Sequence, residues 1–320
     1  MDKSIAFTRH EFAEVVEVPE KGQPGPKELV GRTHFTLISP GTELAWGYTG
    51  SSFPSYPGYA AVFEVTAVGD EVKKFAVGDV AFGRGGHSST QRMHEDMACP
   101  VPSGLAADHA VLARLMGVSM TTLSTTTARP GDTVVVTGLG PVGFLAAHMF
   151  KRCGYNVVGV DPDQGRRDTA AQSGIARVYA SIPLEGEGAI NDAALAVDCS
   201  GHEQAVLDGC KCVRRRGEVV LVGVPWRKLA DLTAHDILHA VFHKYAVLRS
   251  GWEWEIPEHT DLFSHSSLHQ NYVTALQWLA EGAIPVDALI ERWSPSDAQA
   301  VYSGLLARTV SSLFQVFDWR

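Results

Sequence analysis

The sequence holds few cysteines and pairs none of them. Cys99, Cys153, Cys199, Cys210 and Cys212 form an odd, scattered set without a C-x-x-C unit. That argues against a disulfide framework and against a cysteine-built zinc lobe, and fits a reducing cytoplasm. A basic excess is missing too. Lys and Arg number 27 against 36 Asp and Glu, a net charge of -9. A nucleic-acid partner, bound by counterion displacement, is therefore not expected. Met1-Asp2-Lys3-Ser4-Ile5 runs into charged residues with no apolar h-region, so secretion is disfavoured. The most apolar long window, Thr133 to Phe150, is interrupted by three glycines and a proline. It reads as two short elements rather than a membrane span. The chain is expected to be cytoplasmic, with no membrane partner and no internal repeat.

What is present is a globular composition, 45% hydrophobic and 20% charged, which excludes disordered and fibrous classes. At about 150 residues per domain, 320 residues make two domains, and a cleft between domains is where a small-molecule site tends to sit. From Ser4 to about Pro102 short strand-like pieces, such as Glu14-Val15-Val16-Glu17-Val18 and Ala61-Val62-Phe63-Glu64-Val65, alternate with turn residues, pointing to an all-β unit. Beyond Asp108 the pattern changes. A helix-like stretch to about Thr126 leads into strand runs at Thr133 to Thr137, Asn156 to Val160, Ala194 to Asp198, Glu218 to Val222 and Tyr245 to Leu248. Helix-length segments between them imply βαβ units and a buried parallel sheet. A helix around Tyr272 to Glu281 and a strand at Leu313 to Phe317 return the chain to the first domain.

The strongest motif is Thr137-Gly138-Leu139-Gly140-Pro141-Val142-Gly143, which follows a predicted strand and opens a predicted helix. Gly138 suits a tight turn, Gly140 lets a pyrophosphate approach the backbone, and Gly143 lets helix and strand pack closely. The next strand ends at Asp161, 18 residues beyond Gly143, where an acid would hydrogen-bond a ribose and repel a 2′-phosphate. NAD is therefore favoured over NADP. Arg166 and Arg167 are the counterweight, as a phosphate clamp or as solvated first-turn residues. Cys199-Ser200-Gly201 and Val222-Gly223-Val224 end later strands. They border the nicotinamide half of the cofactor or are simple βα turns.

These elements together resemble the medium-chain dehydrogenase/reductase superfamily. Gly41-Thr42-Glu43, Pro57-Gly58-Tyr59, Val65-Thr66-Ala67-Val68-Gly69, Val77-Gly78-Asp79-Val80, Pro130-Gly131-Asp132-Thr133 and the glycine turn carry the resemblance. It implies an α/β chain with a GroES-like β-rich substrate domain at 1–118 and 256–320, and a doubly wound Rossmann domain at 119–255. It further implies a homodimer joined through edge strands around Glu218 to Val224 and Tyr245 to Leu248. Zinc-dependent members carry a cysteine where this chain has Pro40, His-Glu where it has Tyr59-Ala60, and a third ligand near Arg114 to Gly117. None of these residues ligates zinc, so a zinc-independent enzyme is expected. Within the superfamily, Ile38-Ser39-Pro40-Gly41-Thr42-Glu43 and Pro57-Gly58-Tyr59 look most like the 3-hydroxyethyl bacteriochlorophyllide dehydrogenases. That likeness implies a secondary-alcohol dehydrogenase, with a quinone or enone reductase and a non-catalytic cofactor-binding relative as the alternatives.

Without zinc, side chains must handle the proton that leaves as hydride moves. Thr42 aligns with a proton-relay position of the family. Tyr59 replaces a zinc-ligand histidine, or simply fills the vacated volume. With an ordinary pKa of about 10, its phenol needs a cation to serve as a base. Arg114 is the candidate, or else pairs with Glu43 or Glu64 as a structural ion pair. His87 is a third candidate base or a loop residue. Tyr48, Phe53, Tyr56 and Trp252 are candidate pocket residues, with Trp252 alternatively part of a hinge. His259, His265 and His269 read as loop rather than metal ligands.

Overall fold

A computed structural model describes residues 1–320. The chain forms two compact units, Met1–Arg114 with Tyr272–Arg320, and Leu115–Asn271. Sequence places the divisions at 118 and 256, whereas the return lies at Tyr272. Helix Leu268–Ala280 runs through that division, and a continuous helical pattern gives no composition change to mark it.

In chain order the strands are β1 (Asp2–Arg9), β2 (Phe12–Val18), β3 (Glu28–Leu37), β4 (Ala61–Val68), β5 (Val80–Gly83), β6 (Thr90–His94) and β7 (Ala98–Pro100). Next come β8 (Thr133–Thr137), β9 (Asn156–Val160), β10 (Arg177–Tyr179), β11 (Ala193–Asp198), β12 (Val213–Leu221) and β13 (Val247–Ser250). The last two are β14 (Ile290–Trp293) and β15 (Phe314–Asp318).

In the first unit β1 and β2 form an antiparallel hairpin. A seven-stranded sheet runs β14-β15-β3-β4-β5-β7, with β6 on β3. Its apolar side chains make two cores, one around Ile5, Phe7, Tyr48, Tyr302 and Phe317 and another around Leu29, Phe63, Val65 and Phe75. Thr36, at the end of β3, and the turn that follows it carry the candidate catalytic segment, Ser39 to Glu43.

The second unit is one parallel sheet in the order β10-β9-β8-β11-β12-β13. Strand order reverses between β8 and β11, which is the topological switch point of a doubly wound sheet, where ligands meet the carboxyl ends of the strands. Val134, Val135 and Val136 of β8 and all of β11 are buried, as expected of strands covered on both faces. β10 is a short strand that the sequence pattern does not mark, β12 begins five residues earlier than expected, at Val213, and β13 begins two residues later, at Val247. Tyr245 lies outside β13 in the left-handed conformation, φ 53°, and caps helix Ala234–Lys244. Tyr245 N donates to Phe242 O and Ala246 N to Val241 O. A β-favouring aromatic at this cap position disguises the helix end as the start of a strand.

Candidate functional site

The glycine turn joins β8 to helix Pro141–Arg152 in the second unit. Gly138 has φ +80°, and a Cβ there would meet Ser200 at 2.8 Å. A Cβ on Gly143 would lie 1.7 Å from Gly138 O, so only glycine lets helix Pro141–Arg152 pack onto the turn. Gly140 caps this helix without a side-chain bond, and a Cβ on it would find only Arg166, at 3.8 Å. First-turn N–H groups of Val142 and Gly143 that lack a side-chain cap, with open space before them, fit a pyrophosphate, and Pro141 at the first helical position has no N–H to leave unpaired.

Asp161 does more than the sequence suggests. It is 2% exposed. Leu139 N donates to its Oδ2 at 2.7 Å and Asp163 N to its Oδ1 at 2.9 Å, so the expected ribose acceptor also braces the glycine turn. The two arginines separate. Arg166 stays half-exposed with Nη1 3.5 Å from Asp161 Oδ2, whereas Arg167 donates to the carbonyls of Asp161 and Pro162.

The predicted turns after β11 and β12 come together beside Gly138. The buried Asp198 ties them. Its carboxylate accepts from Thr137 Oγ1 at 2.8 Å, Ser200 Oγ at 2.5 Å, Ser200 N at 3.1 Å and Gly201 N at 3.0 Å. Its carbonyl accepts from Val222 N at 2.8 Å and Gly223 N at 2.7 Å. Burial raises the carboxyl pKa against these hydrogen bonds. Added Cβ atoms would lie 2.6 Å from Val224 O at Gly201 and 2.4 Å from Gly201 N at Gly223. Burial also raises the pKa of the Cys199 thiol, which makes it a packing group rather than a nucleophile. Asp198 is the site residue that motif reading missed; its signal was a lone acid at a strand's carboxyl end.

In the first unit a polar cluster forms behind Tyr59. Glu43, 2% exposed, accepts from Ser39 N at 2.8 Å and from Tyr302 Oη at 2.5 Å, and its Oε2 lies 3.1 Å from His87 Nε2. The other ring nitrogen of His87 is 2.7 Å from Thr36 Oγ1. His87 is fully buried with both nitrogens engaged. This corrects its expected place as a base facing substrate. Burial and two hydrogen-bonding partners hold the ring.

Tyr59 is half-buried and donates to the Ser39 hydroxyl. Burial raises its pKa, opposed by hydrogen bonds from Ser39 and Thr42 and by the charge of Arg114. The Arg114 guanidinium lies 4.6 Å from the Tyr59 ring centroid. Tyr59, Thr42 and Arg114 are thus brought together as expected. Glu64 pairs instead with Arg32 at 2.9 Å and His34 at 3.5 Å.

The proposed pocket aromatics do not assemble as one set. Tyr48 is 1% exposed, stacks with Tyr302 at 5.5 Å and lies with its Oη 3.0 Å from Ser303 Oγ. It is a core residue, because its ring fills space under the hairpin. Phe53 packs on the same core, while Tyr56 and Trp252 are exposed. His259, His265 and His269 line a cavity of about 450 Å³. No group of three or more His, Cys, Asp or Glu able to hold a metal ion exists in the chain. Pro40, Tyr59 and Arg114 offer none of the cysteine, histidine or carboxylate donors that a zinc centre takes.

Residues 141–262 match the zinc-binding dehydrogenase family, a stretch confined to the nucleotide-binding part. An L-threonine 3-dehydrogenase of Aliivibrio fischeri (strain MJ11) is 26% identical over 250 residues, 64% of this chain and 72% of that protein. Galactitol-1-phosphate dehydrogenase from Escherichia coli superposes with TM-score 0.84 at 15% identity over 99% of both chains. The whole chain therefore shares its fold with that dehydrogenase. A quinone oxidoreductase of Pseudomonas syringae pv. Tomato DC3000 shares the fold at TM-score 0.77 and 22% identity, covering 99% and 100% of the two chains. These similarities support an NAD(P)-dependent oxidoreductase acting on CH–OH donors. No helix is long and apolar enough to cross a membrane.

Proposed function

We propose that this protein is a zinc-independent, NAD-linked dehydrogenase of a secondary alcohol. The observation that carries the reading is Tyr59, its phenol held by Ser39 beneath the Arg114 guanidinium, where zinc-dependent relatives place a ligand. The nicotinamide, when bound, supplies or accepts the hydride. Tyr59 exchanges a proton with the substrate oxygen, and Thr42 adds a hydrogen bond to the phenol. Because burial raises its pKa, Tyr59 is an O–H donor at neutral pH and suits protonation of a ketone. Alcohol oxidation requires the phenolate and speeds up as pH rises.

The braced Asp161 at the end of β9 supports NAD over NADP. The resemblance of Ile38 to Glu43 and Pro57 to Tyr59 to bacteriochlorophyllide dehydrogenases supports a secondary alcohol. Five free thiols suit the cytoplasm. A homodimer through the β13 edge is supported by the exposure of Phe242, Tyr245 and Val247 beside an unpaired strand edge.

Assays of alcohol oxidation, ketone reduction and quinone or enone reduction, each with both cofactors, test the proposal. Secondary-alcohol oxidation with NAD is expected, and Tyr59→Phe should lower turnover by about 10²- to 10⁴-fold with NADH affinity unchanged. Quinone or enone reduction alone, or tight NADH binding without turnover, would overturn it.

A further inference from the structure

We infer that Ser39 is the positioning residue of the proton-transferring phenol, holding the Tyr59 O–H in the resting site and donating to the Tyr59 oxygen when the phenolate is present. The inference rests on the dehydrogenase reading above and extends it to a residue of the 38–43 segment to which the motif assigns no role.

The Ser39 hydroxyl sits on a rigid base. Its residue is 7% exposed. Its backbone N donates to Glu43 Oε1 at 2.8 Å, and its carbonyl accepts from Glu43 N at 2.9 Å. Glu43 is itself held by Tyr302 and His87, His87 by Thr36, and Thr36 by Trp319 Nε1 at 3.0 Å. This buried chain fixes the Ser39 backbone, and with the oxygen in its present rotamer the hydroxyl hydrogen still rotates about the Cβ–Oγ bond. A hydroxyl both accepts and donates. The same rotation therefore turns an acceptor for Tyr59 O–H into a donor to Tyr59 O⁻, without moving a heavy atom.

Charged groups on every side set the balance. Arg114, stacked on the ring, favours the phenolate, and Tyr272 lies on the same guanidinium at 6.0 Å. Glu43 opposes the phenolate, as burial does, and Thr42 helps it. His87 stands behind Glu43 rather than against Tyr59. In oxidation the carbinol C–H bond breaks and its electron pair leaves as hydride to the nicotinamide. The hydroxyl proton passes to the Tyr59 oxygen, the C=O bond forms, and Tyr59 later returns that proton to water.

The experiment is a pH titration of protein labelled with [13Cζ]tyrosine, with the Tyr59 signal assigned by its loss in Tyr59→Phe. Ser39→Ala is expected to raise the Tyr59 midpoint by about one to two pH units, the change that one hydrogen bond to a charged oxygen makes. Ser39→Cys, which keeps the volume with a weak donor, moves it the same way, and Ser39→Thr restores it. In turnover, Ser39→Ala shifts the rising limb of alcohol oxidation to higher pH and lowers kcat at neutral pH about 10- to 100-fold, leaving NADH affinity unchanged. An unmoved midpoint in Ser39→Ala and Ser39→Cys overturns the assignment. A wild-type protein that oxidises no alcohol defeats the dehydrogenase reading instead, while the tyrosine midpoint still judges Ser39.

Discussion

Replacing Asp108 by Asn tests whether the returning C-terminal segment is held to the first unit by a buried charge cluster. Asp108 is 2% exposed. Arg292 of β14 donates its Nε to Asp108 Oδ2 at 2.6 Å, and His109 Nδ1 lies 3.0 Å from Oδ1. His109 Nε2 is 2.8 Å from Asp287 Oδ1. Burial raises the Asp108 pKa, but hydrogen bonds and charges from His109 and Arg292 outweigh it and bring the carboxyl from 3.8 down to about 2. At 1.36 kcal/mol per unit this shift contributes about 2.5 kcal/mol at neutral pH. The cost of the substitution stays near that figure because the Arg292 side chain is 58% exposed and can return to water, unlike a fully buried orphan charge.

The sign follows from linkage. A depressed carboxylate stabilises fully above its unfolded value of 3.8 and loses the contribution as pH falls through 2, so about half remains at pH 3. His109 is shifted the other way, upward, by its hydrogen bond to Asp108 despite burial. Its contribution is present below the ordinary 6.5 and fades as pH rises through the raised value. Urea unfolding followed by tryptophan fluorescence, at pH 6 and pH 3, should show wild type and Asp108→Asn separated by about 2.5 kcal/mol at the first pH and about half that at the second. An equal gap at both, or less than about 0.5 kcal/mol at pH 6, would refute the reasoning.

Two further outcomes are expected. Gly143→Ala should weaken NADH binding at least about tenfold and destabilise by about 1–3 kcal/mol, because the new Cβ falls 1.7 Å from a backbone oxygen; unchanged NADH fluorescence titration and melting would oppose this. Light scattering should give a dimer at micromolar concentration, and Val247→Lys on the β13 edge should yield monomers; a monomeric wild type removes the dimer.

The cofactor cradle was legible because its signals are local. Gly138, Gly140 and Gly143 are spaced by the geometry of one turn, and β-branched runs flanked by helical stretches imply a parallel sheet wherever they occur. The Tyr59 to Arg114 contact was legible only through the resemblance, since 55 residues separate them. Tyr48 and His87 were misplaced for the same physical reason. An aromatic ring or an imidazole carries no sequence mark of burial, and His87 becomes a braced core residue only because Glu43 and Thr36 fold onto its two nitrogens.

By itself the sequence determined the class of fold and the glycine turn, since each depends on residues within a few positions of one another. The tertiary structure alone decided which side chains gather around Tyr59. Ser39 with Glu43, Tyr59 and Arg114 come from three separate segments, and His87 and Tyr302 behind them from two more stretches of the fold. Hydrogen bonds across such separations depend on where strands end in space, which periodicity and spacing do not encode.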